Sequence, residues 1–209
     1  MKKTDGMTQE ELDARHAEKM KKKKAAREKI LATKTEEKGL IIVHTGKGKG
    51  KSTAAFGMAF RSIGHGHKIA VIQFVKGAWD SGEKRMLEKF PEQVTIKAMG
   101  EGFTWETQDR NKDIANARAA WDAAKEAILD PENRFVLLDE LNIVLRYDYL
   151  PIEEIVEFLS EEKPDDTHVV ITGRNAKDEL IEIADLVTEM TLIKHPFRSG
   201  IKAQEGIEY

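Results

Sequence analysis

The segment HTGKGKGKSTAA, residues 44–55, decides how this chain folds. A short apolar run, LIIVH (40–44), leads into it, and a stretch of small and apolar residues, STAAFGMAFRSIG (52–64), leads out. The run has the continuous apolar character of a strand buried on both faces, and the stretch after it reads as a helix. Strand, glycine loop and helix in that order is the context of a phosphate cradle. Gly46, Gly48 and Gly50 let the loop turn its backbone N–H groups inward, Lys51 adds a point charge, and the helix amino terminus favours anions. The Ser52 hydroxyl can reach a Mg²⁺ ion. The usual G-x-x-x-x-G-K-[ST] pattern calls for glycine at position 45, where Thr45 stands.

Further along, KIAVIQFVKG (68–77), VTIKAMG (94–100), RFVLLDELN (134–142), HVVITGRN (168–175) and VTEMTLIKH (187–195) read as strands. Helices are expected at the end of GAWDSGEKRMLEKFP (77–91), over 111–129, over 151–159 and over DELIEIADL (178–186). This alternation predicts an α/β fold, a mostly parallel sheet flanked by helices, with ligands gathering at the carboxyl ends of the strands. The glycine loop and the Asp139-Glu140 pair both fall on that edge. FVLLDE has the form of a Walker B strand, so Asp139 or Glu140 is expected to hold the metal. The six histidines are scattered and suggest no metal site.

Residues 1–38 form a separate piece, a charged arm ahead of a domain spanning 39–209. The arm holds 12 Lys/Arg against 8 Asp/Glu, so it is basic within a chain of net charge -3. From Thr8 to about Lys34 it reads as a helix opened by Thr8-Gln9-Glu10-Glu11, with too few apolar residues to fold by burial. A mobile arm or a lid that orders over a ligand is the expectation. No aromatic residue accompanies the lysine run 21–24, and acidic residues interleave it, so nucleic acid is not an expected partner. No apolar run approaches a membrane span, and no apolar stretch follows the amino-terminal basic residues as in a signal peptide. With no cysteine, thiol chemistry is excluded and a cytoplasmic location is expected.

Together HTGKGKGKSTAAFGMAFRSIGHG, VIQFVKG, MGEGFTWETQDR, LLDELN, YDYLP, VVITGR and the ending KAQEGIEY, in that order from Gly39 to Tyr209, resemble the corrinoid adenosyltransferases of the CobA/BtuR type. The sequence departs from that family in Lys47, where Asn is common, and Ser52, where Thr is common. The resemblance implies a P-loop NTPase (RecA-like) fold. It implies transfer of the 5′-deoxyadenosyl group of ATP to Co(I) of a reduced corrinoid, with triphosphate leaving, in cobalamin biosynthesis or salvage. ATP would lie in the reverse sense relative to ordinary P-loop enzymes, a reason for Thr45 to break the pattern. Gly46, Lys47, Gly48, Lys49, Gly50, Lys51, Ser52 and Thr53 carry over as the triphosphate cradle, Lys51 as a catalytic charge, Ser52 with Glu140 as Mg²⁺ contacts, and Arg61 and Arg174 as nucleotide contacts. Phe103 and Trp105 carry over as the aromatics that displace the corrinoid's lower ligand, which eases reduction of Co(II) by a flavoprotein. A homodimer is expected, with the arm of one subunit reaching the other. The competing readings are a P-loop ATPase or kinase, which would release ADP or AMP, and a RecA-like nucleic-acid switch using the lysine-rich arm.

Overall fold

Every residue of β1 (Ile41–Thr45) is buried, including the polar His44 and Thr45 at its end. A strand reaches that state only in the interior of a sheet covered on both faces. The computed structural model describes residues 7–75, 81–98 and 109–208. The chain divides into two compact units, Met1–Glu37 and Lys38–Tyr209.

The first unit carries α1 (Gln9–Leu31), none of whose residues is buried. The Thr8 side chain accepts from the Glu11 N–H at 3.3 Å, and Glu11 Oε2 accepts from the Thr8 N–H at 2.9 Å, so both orphan donors are satisfied. Along its length the helix is supported by exposed pairs such as Glu18 with Lys22, 2.6 Å apart. Caps and surface pairs hold this helix, not a core.

In the second unit β1 leads to α2 (Lys51–Gly64), β2 (Lys68–Gln73), α3 (Gly82–Leu87), β3 (Val94–Ala98), α4 (Arg110–Leu129) and β4 (Asn133–Asp139). Then follow α5 (Leu141–Arg146), α6 (Ile152–Glu161), β5 (His168–Thr172), α7 (Asp178–Ile183), β6 (Leu186–Glu189) and a 3-10 turn, Pro196–Ser199. The strands pair in parallel in the order β3-β2-β4-β5-β1-β6. The sheet among the described residues is therefore wholly parallel, where a mostly parallel one was expected.

One face packs Ala55, Phe56, Ala59 and Ile63 of α2 on Ile42, Val71, Leu137 and Val170. The other packs α4, α5 and α6 on Val43, Ile72, Leu138 and Ile171. There the fully buried Trp121 meets the Phe158 ring edge to face at 5.3 Å, and its indole N–H donates to Glu154 at 2.9 Å. Several elements end earlier than expected, β2 at Gln73, β5 at Thr172 and α7 at Ile183. The strand expected to run to residue 142 ends at Asp139, because Glu140 takes a left-handed conformation and Leu141-Asn142 open α5. The final strand is short and exposed, since β6 is an edge with one neighbour. Among the described residues no helix is long and apolar enough to cross a membrane.

Candidate active site

Strand order builds the site. β5 lies between β1, which delivers the glycine loop, and β4, which delivers the carboxylates. His44 pairs in register with Thr172, and Leu138 pairs with Ile171, so Asp139, Thr172 and the loop meet at one edge.

Gly46 enters the loop at φ 98°, and a Cβ there would stand 2.5 Å from the Met190 carbonyl oxygen. Only glycine fits so close an approach in that conformation. The Gly48 N–H, expected to point toward phosphate, donates instead to the Met190 carbonyl at 2.6 Å. The chain after β6 thus braces the loop from one side, and one of its three glycine amides is already engaged. Beneath the loop, buried His44 donates from Nδ1 to the Lys51 carbonyl at 3.2 Å; a carbonyl only accepts, which fixes the tautomer.

Lys51 is only 7% exposed, and its ammonium donates back to the Gly48 carbonyl at 2.5 Å. Burial lowers it from its ordinary value, Glu140 opposes that, and Arg174 and Lys49 add to it. Lys49 is paired with Glu208 of the carboxy-terminal tail. Burial and then Arg174 push Lys49 down from its ordinary value. Lys47 and Thr53 are exposed at the loop, and Ser52 is half-buried.

Asp139 is buried and satisfied on several sides. It accepts from the Thr172 hydroxyl at 2.7 Å, and the neighbouring Ser52 and Gln73 side chains also favour its charged form. Burial raises its pKa and these hydrogen bonds oppose the rise. Glu140 stands at φ 65°, where a non-glycine residue is strained, and its N–H donates to Thr172 Oγ1 at 2.9 Å. Burial, and next the Asp139 charge, push the Glu140 carboxyl up to about 7 against the pull of Lys51 and Arg174.

The donor set suits a hard divalent cation: a hydroxyl and neighbouring carboxylate oxygens, two acids whose crowding a cation would relieve. Among the described residues no three His, Cys, Asp or Glu side chains gather as a metal-binding group.

Arg174 follows β5, and its charge acts on Lys49, Lys51 and Glu140, so the structure brings it to the cradle. Arg61 is not brought there. It is exposed and ten residues beyond Lys51 on α2, about 15 Å along the helix axis. Phe103 and Trp105 lie outside the described residues. The residues missed in the sequence are those that bind the site together: Thr172, Gln73, Met190 and Asn142. The last donates from Nδ2 to the Gly173 carbonyl at 3.3 Å and keeps a buried, unpartnered Oδ1. A signal for Thr172 existed, a lone hydroxyl closing the apolar run VVIT.

Comparison with known proteins agrees with this geometry. The family model described as ATP:corrinoid adenosyltransferase BtuR/CobO/CobP matches residues 37–209. A corrinoid adenosyltransferase from Sinorhizobium sp. is 68% identical over 94% of this chain and 92% of its own length. The corrinoid adenosyltransferase of Pseudomonas aeruginosa is 50% identical over 95% of this chain and 98% of its own. That of Escherichia coli K12 is 46% identical over 94% and 99%. With the family model matching residues 37–209 and these relatives alike over nearly the whole length, the chain belongs to the ATP:corrinoid adenosyltransferase family.

Proposed function

We propose that the loop 46–53 holds the triphosphate of ATP so that C5′ of the ribose, and not a phosphorus atom, faces the acceptor. The acceptor is Co(I) of a reduced corrinoid. Its electron pair forms the Co–C5′ bond as the C5′–O5′ bond breaks, and triphosphate leaves with the bonding electrons. Such a nucleophile needs no activated side chain, so the protein's work is positioning and charge neutralisation. Lys51, Lys49 and Arg174 converge on the place where that charge accumulates. Ser52 and Glu140 would hold Mg²⁺, with Asp139 orienting Ser52; the ion supplies further neutralisation of the triphosphate.

The observation that carries this reading is the convergence of Lys51, Arg174 and Glu140 at a loop whose standard first glycine is replaced. Phe103 and Trp105 are proposed to displace the lower ligand of Co(II) corrinoid, leaving a four-coordinate species that a flavoprotein can reduce. The exposed α1 is proposed as a lid over the bound corrinoid in a homodimer, and the enzyme as cytoplasmic, where ATP and such reductants are at hand.

The test is anaerobic incubation with ATP, Mg²⁺ and chemically reduced cobalamin. An alkylcobalamin spectrum with one triphosphate per turnover is expected. Release of ADP or AMP, or no spectral change, would overturn the reading.

A further inference from the structure

Thr172 is wholly buried at the end of the strand that separates the phosphate loop from the carboxylates. Its hydroxyl has one proton and is used in both senses, donating to Asp139 Oδ1 at 2.7 Å and accepting from the Glu140 N–H at 2.9 Å. A single oxygen therefore fixes two consecutive residues whose backbones diverge, Asp139 ending β4 and Glu140 in the left-handed region. The next residue, Gly173, is held as closely. At φ 125° a Cβ there would stand 2.8 Å from Asn142 Cβ, and its carbonyl accepts from Asn142 Nδ2. Three residues on, the Ala176 N–H donates to Thr45 Oγ1 at 3.0 Å. The turn that carries Arg174 is thus fastened to β4, α5 and β1 at successive points.

We infer that Thr172 is a positioning residue of the transferase. Its hydroxyl holds the strained Glu140 backbone so that the carboxylate faces Lys51 and the metal. It also holds the Asp139 carboxylate in place beside Ser52. This rests on Glu140 and Ser52 as the metal contacts, and it goes beyond that reading by naming what aims them. Without the hydroxyl, the Glu140 N–H loses its acceptor and Asp139 a donor, and Glu140 keeps the bond its carbonyl accepts from the Ile143 N–H at 3.0 Å. Residues that orient metal contacts from behind are worth about 10–100-fold in affinity or activity.

The test compares the parent chain with Thr172→Val, which keeps the shape and β-branch, and Thr172→Ser, which keeps the hydroxyl. Thr172→Ala replaces the valine variant if that one does not fold. The first readout is amide hydrogen exchange of Glu140 in protein free of ATP and metal. Exchange faster by about tenfold or more in Thr172→Val, with core strands unchanged, is expected, and Thr172→Ser should restore protection. The second readout is the Mg²⁺ concentration for half-maximal turnover of chemically reduced cobalamin. It should rise about 10–100-fold in Thr172→Val and recover in Thr172→Ser. Parent-like exchange in Thr172→Val overturns the inference, as does a serine variant no better than the valine one. Faster exchange with an unchanged Mg²⁺ requirement overturns the positioning role. A parent enzyme indifferent to Mg²⁺ would instead sink the metal reading, and amide exchange then decides the hydrogen bond alone.

Discussion

The Thr45 hydroxyl accepts a hydrogen bond from the Ala176 N–H at 3.0 Å, joining the end of β1 to the turn that carries Arg174. A glycine at this position, as in the common phosphate-loop pattern, could not make that bond. The departure at position 45 is thereby a structural tie, made where the loop leaves the sheet.

Thr45→Gly should therefore weaken the fold. It leaves the Ala176 N–H without its acceptor and adds backbone freedom to the unfolded chain, together costing about 1–3 kcal/mol. Thr45→Ser should stay within a fraction of that. Chemical denaturation midpoints at constant slope would report the difference, and equal midpoints for glycine and threonine would contradict the role.

Lys51→Ala removes a buried ammonium from the proposed triphosphate site. A loss of about 10²–10³-fold in turnover at limiting ATP is expected, with the far-ultraviolet spectrum unchanged. Near-normal triphosphate release by this variant would place the site elsewhere.

Glu140 links stability to pH in the ATP-free protein. Its carboxyl rises from 4.5 to about 7 on folding, so between those values the folded chain keeps a proton that the unfolded chain has released. Stability should fall as pH rises through this window, by at most on the order of 3 kcal/mol, and stay lowered above it. Glu140→Gln should flatten that slope, as should saturating Mg²⁺ and ATP. Urea melts from pH 4 to 8 would show it, and a slope shared by the parent and Glu140→Gln would assign it to another group.

Glu208 pairs with Lys49 of the phosphate loop, while Glu205 lies 3.8 Å from Arg85. A carboxylate on a cradle lysine competes with triphosphate for the same charge. Glu208→Gln should lower the KM for ATP several-fold, on the order of 1 kcal/mol for so exposed a lysine, and leave kcat unaltered. A raised KM would show that the carboxylate orients Lys49 for the nucleotide.

Phe103→Ala and Trp105→Ala should separate reduction from transfer. Activity should fall when a flavoprotein must reduce Co(II) and largely survive when Co(I) is supplied chemically. Equal loss in both assays by folded variants would make the aromatics elements of substrate placement.

Local pattern alone, in the sequence, determined the α/β alternation, the capped α1, the glycine loop between strand and helix, and the acidic pair closing an apolar run. These depend on residues near one another in the chain, where periodicity, caps and glycine act directly. The order of strands was decided only in three dimensions, because parallel strands pair through crossovers that no local pattern encodes. That order places Thr172 between Asp139 and the loop, 33 residues from Asp139 in sequence but 2.7 Å away in space. It also gives the Gly48 amide to Met190 and explains Thr45 through Ala176. Local sequence nominated the candidate groups; only packing of distant strands, with its demand that buried donors and acceptors find partners, decided how those groups are arranged.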